Sequence, residues 1–140
     1  VDWQHLQEDR LDSISIDLKG SEISSIELEG GRLCLHFSRA YLIKTMTGSN
    51  ERTRWWQAGD LVIDGAEARS PIPSGPLVCQ GGDIDENIYT YRDMIPIPLA
   101  SRGHARCALR FEQVPDPFIV EGTAVKLEMY ETPKYIEHLR

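Results

Sequence analysis

The chain has 140 residues, 41% of them hydrophobic and 26% charged, proportions that suit one globular domain and exclude a disordered, collagen-like or coiled-coil chain. Its formal net charge of −7 speaks against a general nucleic-acid binder, which needs a surplus of Lys and Arg on at least one face. No stretch approaches the roughly 18 consecutive apolar residues of a membrane span, and residues 1–10 lack the basic start and apolar run of a signal peptide, so neither membrane insertion nor export is expected.

In chain order, residues 3–11 form a candidate short helix. Ile14, Ile16 and Leu18 then alternate with Ser13, Ser15 and Asp17, the period of a strand with one buried face. Lys19-Gly20-Ser21-Glu22 interrupts this strand. Ile26 and Leu28 resume the alternation, Glu29-Gly30-Gly31-Arg32 supplies a turn, and Leu33, Leu35 and Phe37 continue in step. Glycine accepts positive φ at little cost, so the segment reads as a β-hairpin. The returning strand extends through Tyr41 and Ile43, with Ser38-Arg39-Ala40 a candidate bulge that changes the inward face. Residues 45–53 are polar and turn-rich and read as an exposed loop.

Leu61-Val62-Ile63 is an apolar strand closed by Asp64-Gly65. Residues 70–76 carry three prolines, each lacking an amide donor, and are expected as a crossing loop or a blunted edge. Leu77-Val78-Cys79 is a short strand, Gly81-Gly82 a turn, and Ile84, Ile88 and Tyr89 a weaker extended segment. Met94-Ile95-Pro96-Ile97-Pro98-Leu99 should run extended at a sheet margin. Ala105, Cys107, Leu109 and Phe111 alternate cleanly with Arg106, Ala108, Arg110 and Glu112. Pro115-Asp116-Pro117 is the expected next turn, followed by strands through Phe118 and Val120 and through Val125, Leu127 and Met129. In the tail, Tyr135, Ile136 and Leu139 have the spacing of a short amphipathic turn. Strand signals about every ten residues indicate an all-β fold: one antiparallel sandwich or barrel of about eight strands spanning residues 1–140, with at most short terminal helices.

Three cysteines at wide spacings, Cys34, Cys79 and Cys107, do not form the pattern of a disulfide scaffold and point to a reducing, cytoplasmic setting. Cys107 reads as a small buried hydrophobe. Cys34 and His36 can share a strand face, and folding could bring His104, Cys79 or Cys107 near to complete a zinc set. Without a CxxC or HxxxH pair, no metal site is assigned. Gly81-Gly82-Asp83-Ile84-Asp85-Glu86-Asn87 lacks the spacing of an EF-hand and reads as a polar turn. His5, His36, His104 and His138 are dispersed, and no GxSxG, P-loop or GxGxxG occurs, so no catalytic residue and no cofactor are assigned.

The sharpest local feature is Arg52-Thr53-Arg54-Trp55-Trp56-Gln57. Adjacent aromatics on an extended backbone face opposite sides, so one indole can enter the core while the other stays out beside two guanidiniums. Arg39 and Lys44 make this part of the chain basic, whereas Asp83, Asp85, Glu86 and Asp93 make a later part acidic; such asymmetry can steer a partner or support self-association.

The runs Arg54-Trp55-Trp56-Gln57-Ala58-Gly59-Asp60-Leu61-Val62-Ile63 and Asp93-Met94-Ile95-Pro96-Ile97-Pro98-Leu99 resemble segments of a family of small uncharacterised bacterial proteins of about this length, with no assigned activity. The resemblance implies a bacterial origin and a compact β-fold. The functional expectation is a non-enzymatic interaction or accessory module with a protein partner or a second copy of itself, contacted through Arg52, Arg54, Trp55 and Trp56. The alternative is a small-ligand binder whose apolar pocket is lined by the tryptophans with Tyr89 or Tyr91. An enzyme ranks third, on residues remote in sequence.

Overall fold

The alternation that begins at Ile14 runs further than the sequence divides it. In the computed structural model, which describes residues 12–46, 48 and 50–139, strand β1 (Asp12–Glu29) is continuous and pairs antiparallel with β2 (Arg32–Met46). The interruption expected at Lys19-Gly20-Ser21-Glu22 is a bulge, where the register slips between Asp17 and Glu22 and Gly20 takes a φ of 88°. The buried Ser21 hydroxyl donates to the Asp17 carbonyl at 2.7 Å and accepts from the Tyr41 amide at 3.1 Å. A side chain thus stands in for ladder bonds that the slip removes. Gly30 and Gly31 have φ of 59° and 78°, the paired positive values of a type I′ hairpin turn. A second register shift, between Phe37 and Ala40, passes the inward set to Ala40 and Leu42, leaving Tyr41 and Ile43 only partly covered.

Beyond the hairpin come β3 (Arg52–Asp64), β4 (Glu67–Ala68), β5 (Leu77–Glu86), β6 (Tyr89–Arg92), β7 (Met94–Ile97), β8 (Ala100–Phe111) and β9 (Val114–Leu139). The prolines of residues 70–76 lie in a loop between β4 and β5. The nine strands form one sheet in the order β6-β5-β8-β9-β3-β2-β1-β7, with β4 against β9. It closes into a ring where β5 meets β1, through Glu22↔Val78 and Ile23↔Leu77. This is the all-β, sandwich-or-barrel architecture that the strand rhythm implies, and no helix long and apolar enough to cross a membrane occurs among the described residues.

Three local expectations are corrected. Gly81-Gly82 is no turn but lies inside β5, with φ of 133° and 152°. A Cβ on Gly82 would sit 2.2 Å from the Ala108 carbonyl oxygen, so Gly82 serves close approach of the β8 backbone, while Gly81 leaves room for the Asp93 and Arg110 side chains. The chain reverses instead at Asn87-Ile88, where Asn87 has a φ of 52°. Pro115-Asp116-Pro117 belongs to β9, and the turn is Glu112-Gln113. That turn is anchored on β5: the Glu112 amide donates to the Val78 carbonyl and the Gln113 Oε1 accepts from the Val78 amide, both at 2.9 Å. The tail is extended rather than helical, continuing β9 along β3 with Trp55↔Tyr135, Arg54↔Glu137 and Arg52↔Leu139. Without it, the first residues of β3, paired with β2 on one side, would present bare amides and carbonyls on the other. The short helix expected over residues 3–11 lies outside the described residues.

The enclosed core gathers Phe37, Phe111 and Phe118 with Ile16, Leu18, Ile23, Leu35 and others, each such side chain contributing about 1.5–3 kcal/mol on burial. Cys79 and Cys107 are part of it; burial pushes the Cys79 thiol up to about 11 and raises that of Cys107 as well.

Candidate functional site

Strand alternation along β3 sends Arg54, Trp56 and Asp60 to the outer face and Trp55 toward the core, against which it packs. The Trp55 indole N–H donates to Thr53 Oγ1 at 2.8 Å, and its ring meets that of Tyr135 edge-on at 5.2 Å. Trp56 lies between two cations: the Arg39 guanidinium is 4.3 Å and the Lys134 ammonium 4.6 Å from its ring centroid. One strand away, Arg54 stacks over Tyr41 at 4.6 Å. The ion pairs on this face are long, with Arg39–Glu22 at 3.9 Å and Arg54–Asp17 at 3.8 Å. The bulge at Ser38-Arg39 helps to place this cluster, because it turns Arg39 toward its neighbour on β3.

Arg52 begins β3 opposite Leu139 and is exposed, without a place in that cluster. Tyr89 and Tyr91 stack on each other at 6.4 Å on β6, which the sheet order separates from β3 by β5, β8 and β9. Tyr91 packs against the core and donates to Glu86 at 2.9 Å, which raises its pKa. The two aromatic pairs therefore do not line one cavity. Trp55 borders a groove of about 80 Å³ with Ile14, Leu42, Lys44 and Pro133 and another of about 200 Å³ with Lys44, Met46, Glu51 and Thr53, each below the roughly 300–1,000 Å³ of a small-molecule site. Grooves of about 340 Å³ lie beside Arg102 and Lys126 and along the proline-rich loop, lined by other residues.

The acidic stretch has local partners, cations for Asp83 and Asp93 and hydroxyls for Asp85 and Glu86. Asp83 meets Arg92 at 3.3 Å, Asp85 accepts from the Thr90 hydroxyl at 2.8 Å, and Asp93 is flanked by Arg110 at 3.6 Å and Lys19 at 3.7 Å. Asp83 and Asp85 each have a partner on β6, and among the described residues they belong to no group of three ligand atoms close enough to hold an ion.

A second cluster sits further along the same outer face. Cys34 and His36 project from β2, and His36 is paired in register with Asp60 of β3. Asp60 is buried; His36 Nδ1 contacts its Oδ1, and the Tyr130 hydroxyl of β9 donates to its Oδ2. The His36 and Tyr130 rings lie 6.1 Å apart. Burial first, and the Asp60 carboxylate second, push the Cys34 thiol up to about 11, the reverse of what an activated nucleophile needs. The hydrogen bond to Asp60 likewise lifts the Tyr130 phenol to about 12. Of the other residues considered beside Cys34 and His36, Cys79 and Cys107 face the core and His104 lines a groove with Glu121 and Gly122. Asp60 and Tyr130 escape sequence reasoning because register alone unites them; the available signal was one acidic residue directly preceding Leu61-Val62-Ile63.

No protein-family model matches the chain, and neither the curated proteins nor the solved structures yield a match.

Proposed function

We propose that the protein is a non-enzymatic interaction module that receives an acidic, extended segment of a partner protein on the Trp56 face, in a reducing setting such as the cytoplasm. The observation that carries this reading is the Trp56 indole held between Arg39 and Lys134. Trp and Arg are the residue types most enriched at binding hot spots. A cationic rim around an aromatic, on a chain with net charge −7, favours a partner segment whose carboxylates replace the long intramolecular pairs to Glu22 and Asp17. The edge of β9 beyond Pro133 adds to this, because among the described residues no strand pairs with it on the side away from β3, so backbone pairing is open to an added strand. Three free cysteines, two of them buried, support the reducing setting.

Peptides selected for binding from a random displayed library test the reading. Enrichment for Asp and Glu flanking an apolar residue is expected, with binding weakened at least about tenfold by Arg39→Glu/Lys134→Glu at unchanged melting temperature, since loss of close charge pairs costs on the order of 1.5 kcal/mol or more. Peptides without acidic enrichment, or equal binding to the double variant, would overturn it. Trp56→Ala belongs in the same series; Trp55→Ala does not, because Trp55 packs against the core.

A further inference from the structure

Cys34 Sγ, a ring nitrogen of His36 and a carboxylate oxygen of Asp60 lie within 4.8 Å of one another. A tetrahedral ion bound at roughly 2.0–2.3 Å to each would hold its ligands about 3.5 Å apart, so binding requires the exposed His36 ring to draw back from Asp60 Oδ1, with which it is now in contact. The Asp60 side chain is only 9% exposed, yet its Oδ1 accepts no hydrogen bond among the described residues. His36 Nδ1 lies against that oxygen without hydrogen-bond alignment and is an ionic partner to it only when the imidazole is protonated. A buried carboxylate oxygen in that position calls for a partner.

The neighbouring groups are those of a ligand set. Tyr130 occupies Oδ2, which fixes the carboxylate and leaves Oδ1 to point at Cys34 and His36, the role that outer hydrogen bonds play around metal ligands. Two of the three donors are an i, i+2 pair on β2 and the third is the register partner of His36 on β3, so paired strands rather than a loop hold the geometry. His36 is 46% exposed, which gives an entry path and leaves a coordination position facing water.

We infer that Cys34, His36 and Asp60 bind a divalent transition ion of the zinc class, with solvent completing a tetrahedron. One sulfur, one imidazole nitrogen and one carboxylate oxygen match the ligands zinc accepts, whereas calcium and magnesium require oxygen-rich sites. The site does not depend on the Trp56 reading: it lies four residues further along β3, about 13 Å away at strand spacing.

The experiment titrates the full chain, stripped with chelator, with Co²⁺ and follows the visible bands of tetrahedral Co²⁺ and the near-ultraviolet thiolate charge-transfer band. One equivalent should bind, zinc should displace it, and zinc should raise the melting temperature by mass action. Cys34→Ser should remove the charge-transfer band, His36→Gln should weaken binding at least about tenfold, and Tyr130→Phe by about tenfold. His36 is exposed, so its variant stays interpretable should Cys34→Ser fold poorly. Absence of the charge-transfer band in the wild-type chain, or undiminished binding in His36→Gln, would falsify the site and leave an apo polar cluster or adventitious surface histidines.

Discussion

Cys79, with 1% of its surface exposed, makes stability depend on pH in a range where ordinary surface groups contribute little. Its thiol is pushed from 9.0 up to about 11, chiefly by burial. Between those values the unfolded chain has released the proton that the folded chain still holds, so unfolding binds fewer protons and stability falls as pH rises. The contribution is fully present below pH 9 and is lost on approach to about 11, at up to about 1.4 kcal/mol per pH unit for one thiol. Urea titrations at pH 8, 9.5 and 10.5 should show this decline, and Cys79→Ala should reduce its slope. An identical slope in both proteins would assign the effect elsewhere. The contrast between neighbours at this scale was partly legible: adjacent tryptophans on a strand must diverge, and Trp55 packs inward while Trp56 faces Arg39 and Lys134.

At the scale of elements, the strands that were legible have one buried face and one exposed one, as in Ala105, Cys107, Leu109 and Phe111 of β8. A period of two then records the environment directly. The tail of β9 carries no such record, because most of its side chains are exposed and its structure comes from backbone pairing with β3, some eighty residues earlier. Gly81-Gly82 misled for a related reason: positive φ is shared by turns and by strands that need close backbone approach, and only the position of Ala108 distinguishes them. Both clusters on the outer face likewise arise from register, which brings Arg39, Trp56 and Lys134 together in one place and Cys34, His36, Asp60 and Tyr130 in another. Ending the chain after Thr132 isolates the contribution of the tail. Amides of the first residues of β3 should lose exchange protection and tryptophan emission should shift to the red as Tyr135 and Pro133 leave Trp55, while protection around Leu61-Val62-Ile63, which pairs with Leu127, Lys126 and Val125, persists. Retained protection over Arg52 to Trp56 would show that β3 holds its edge without the tail.

The whole molecule is a ring of mostly long, non-local pairings with one short join. β1 is matched to β2 over nearly its full length, and β3 to β9 almost from end to end, but β1 and β5 share only Glu22↔Val78 and Ile23↔Leu77. Beside that join, Gly75 lies so close to β1 that an added Cβ would fall 1.9 Å from the Ser24 carbonyl oxygen. Gly75→Ala must therefore push the proline-rich loop away from β1, and its expected effect is faster hydrogen exchange at Ile23, Leu77 and Val78 with β2–β3 amides unchanged; uniform acceleration throughout the sheet would mean that the ring opens only as one unit. The join works as the clasp of a bracelet. It has the fewest register pairs of any join in the ring, backed by Asp93, which accepts from the Leu18 amide and donates its own amide to the Gly82 carbonyl, so the fit of one glycine against Ser24 is expected to set how often Phe37, Phe111 and Phe118 meet water.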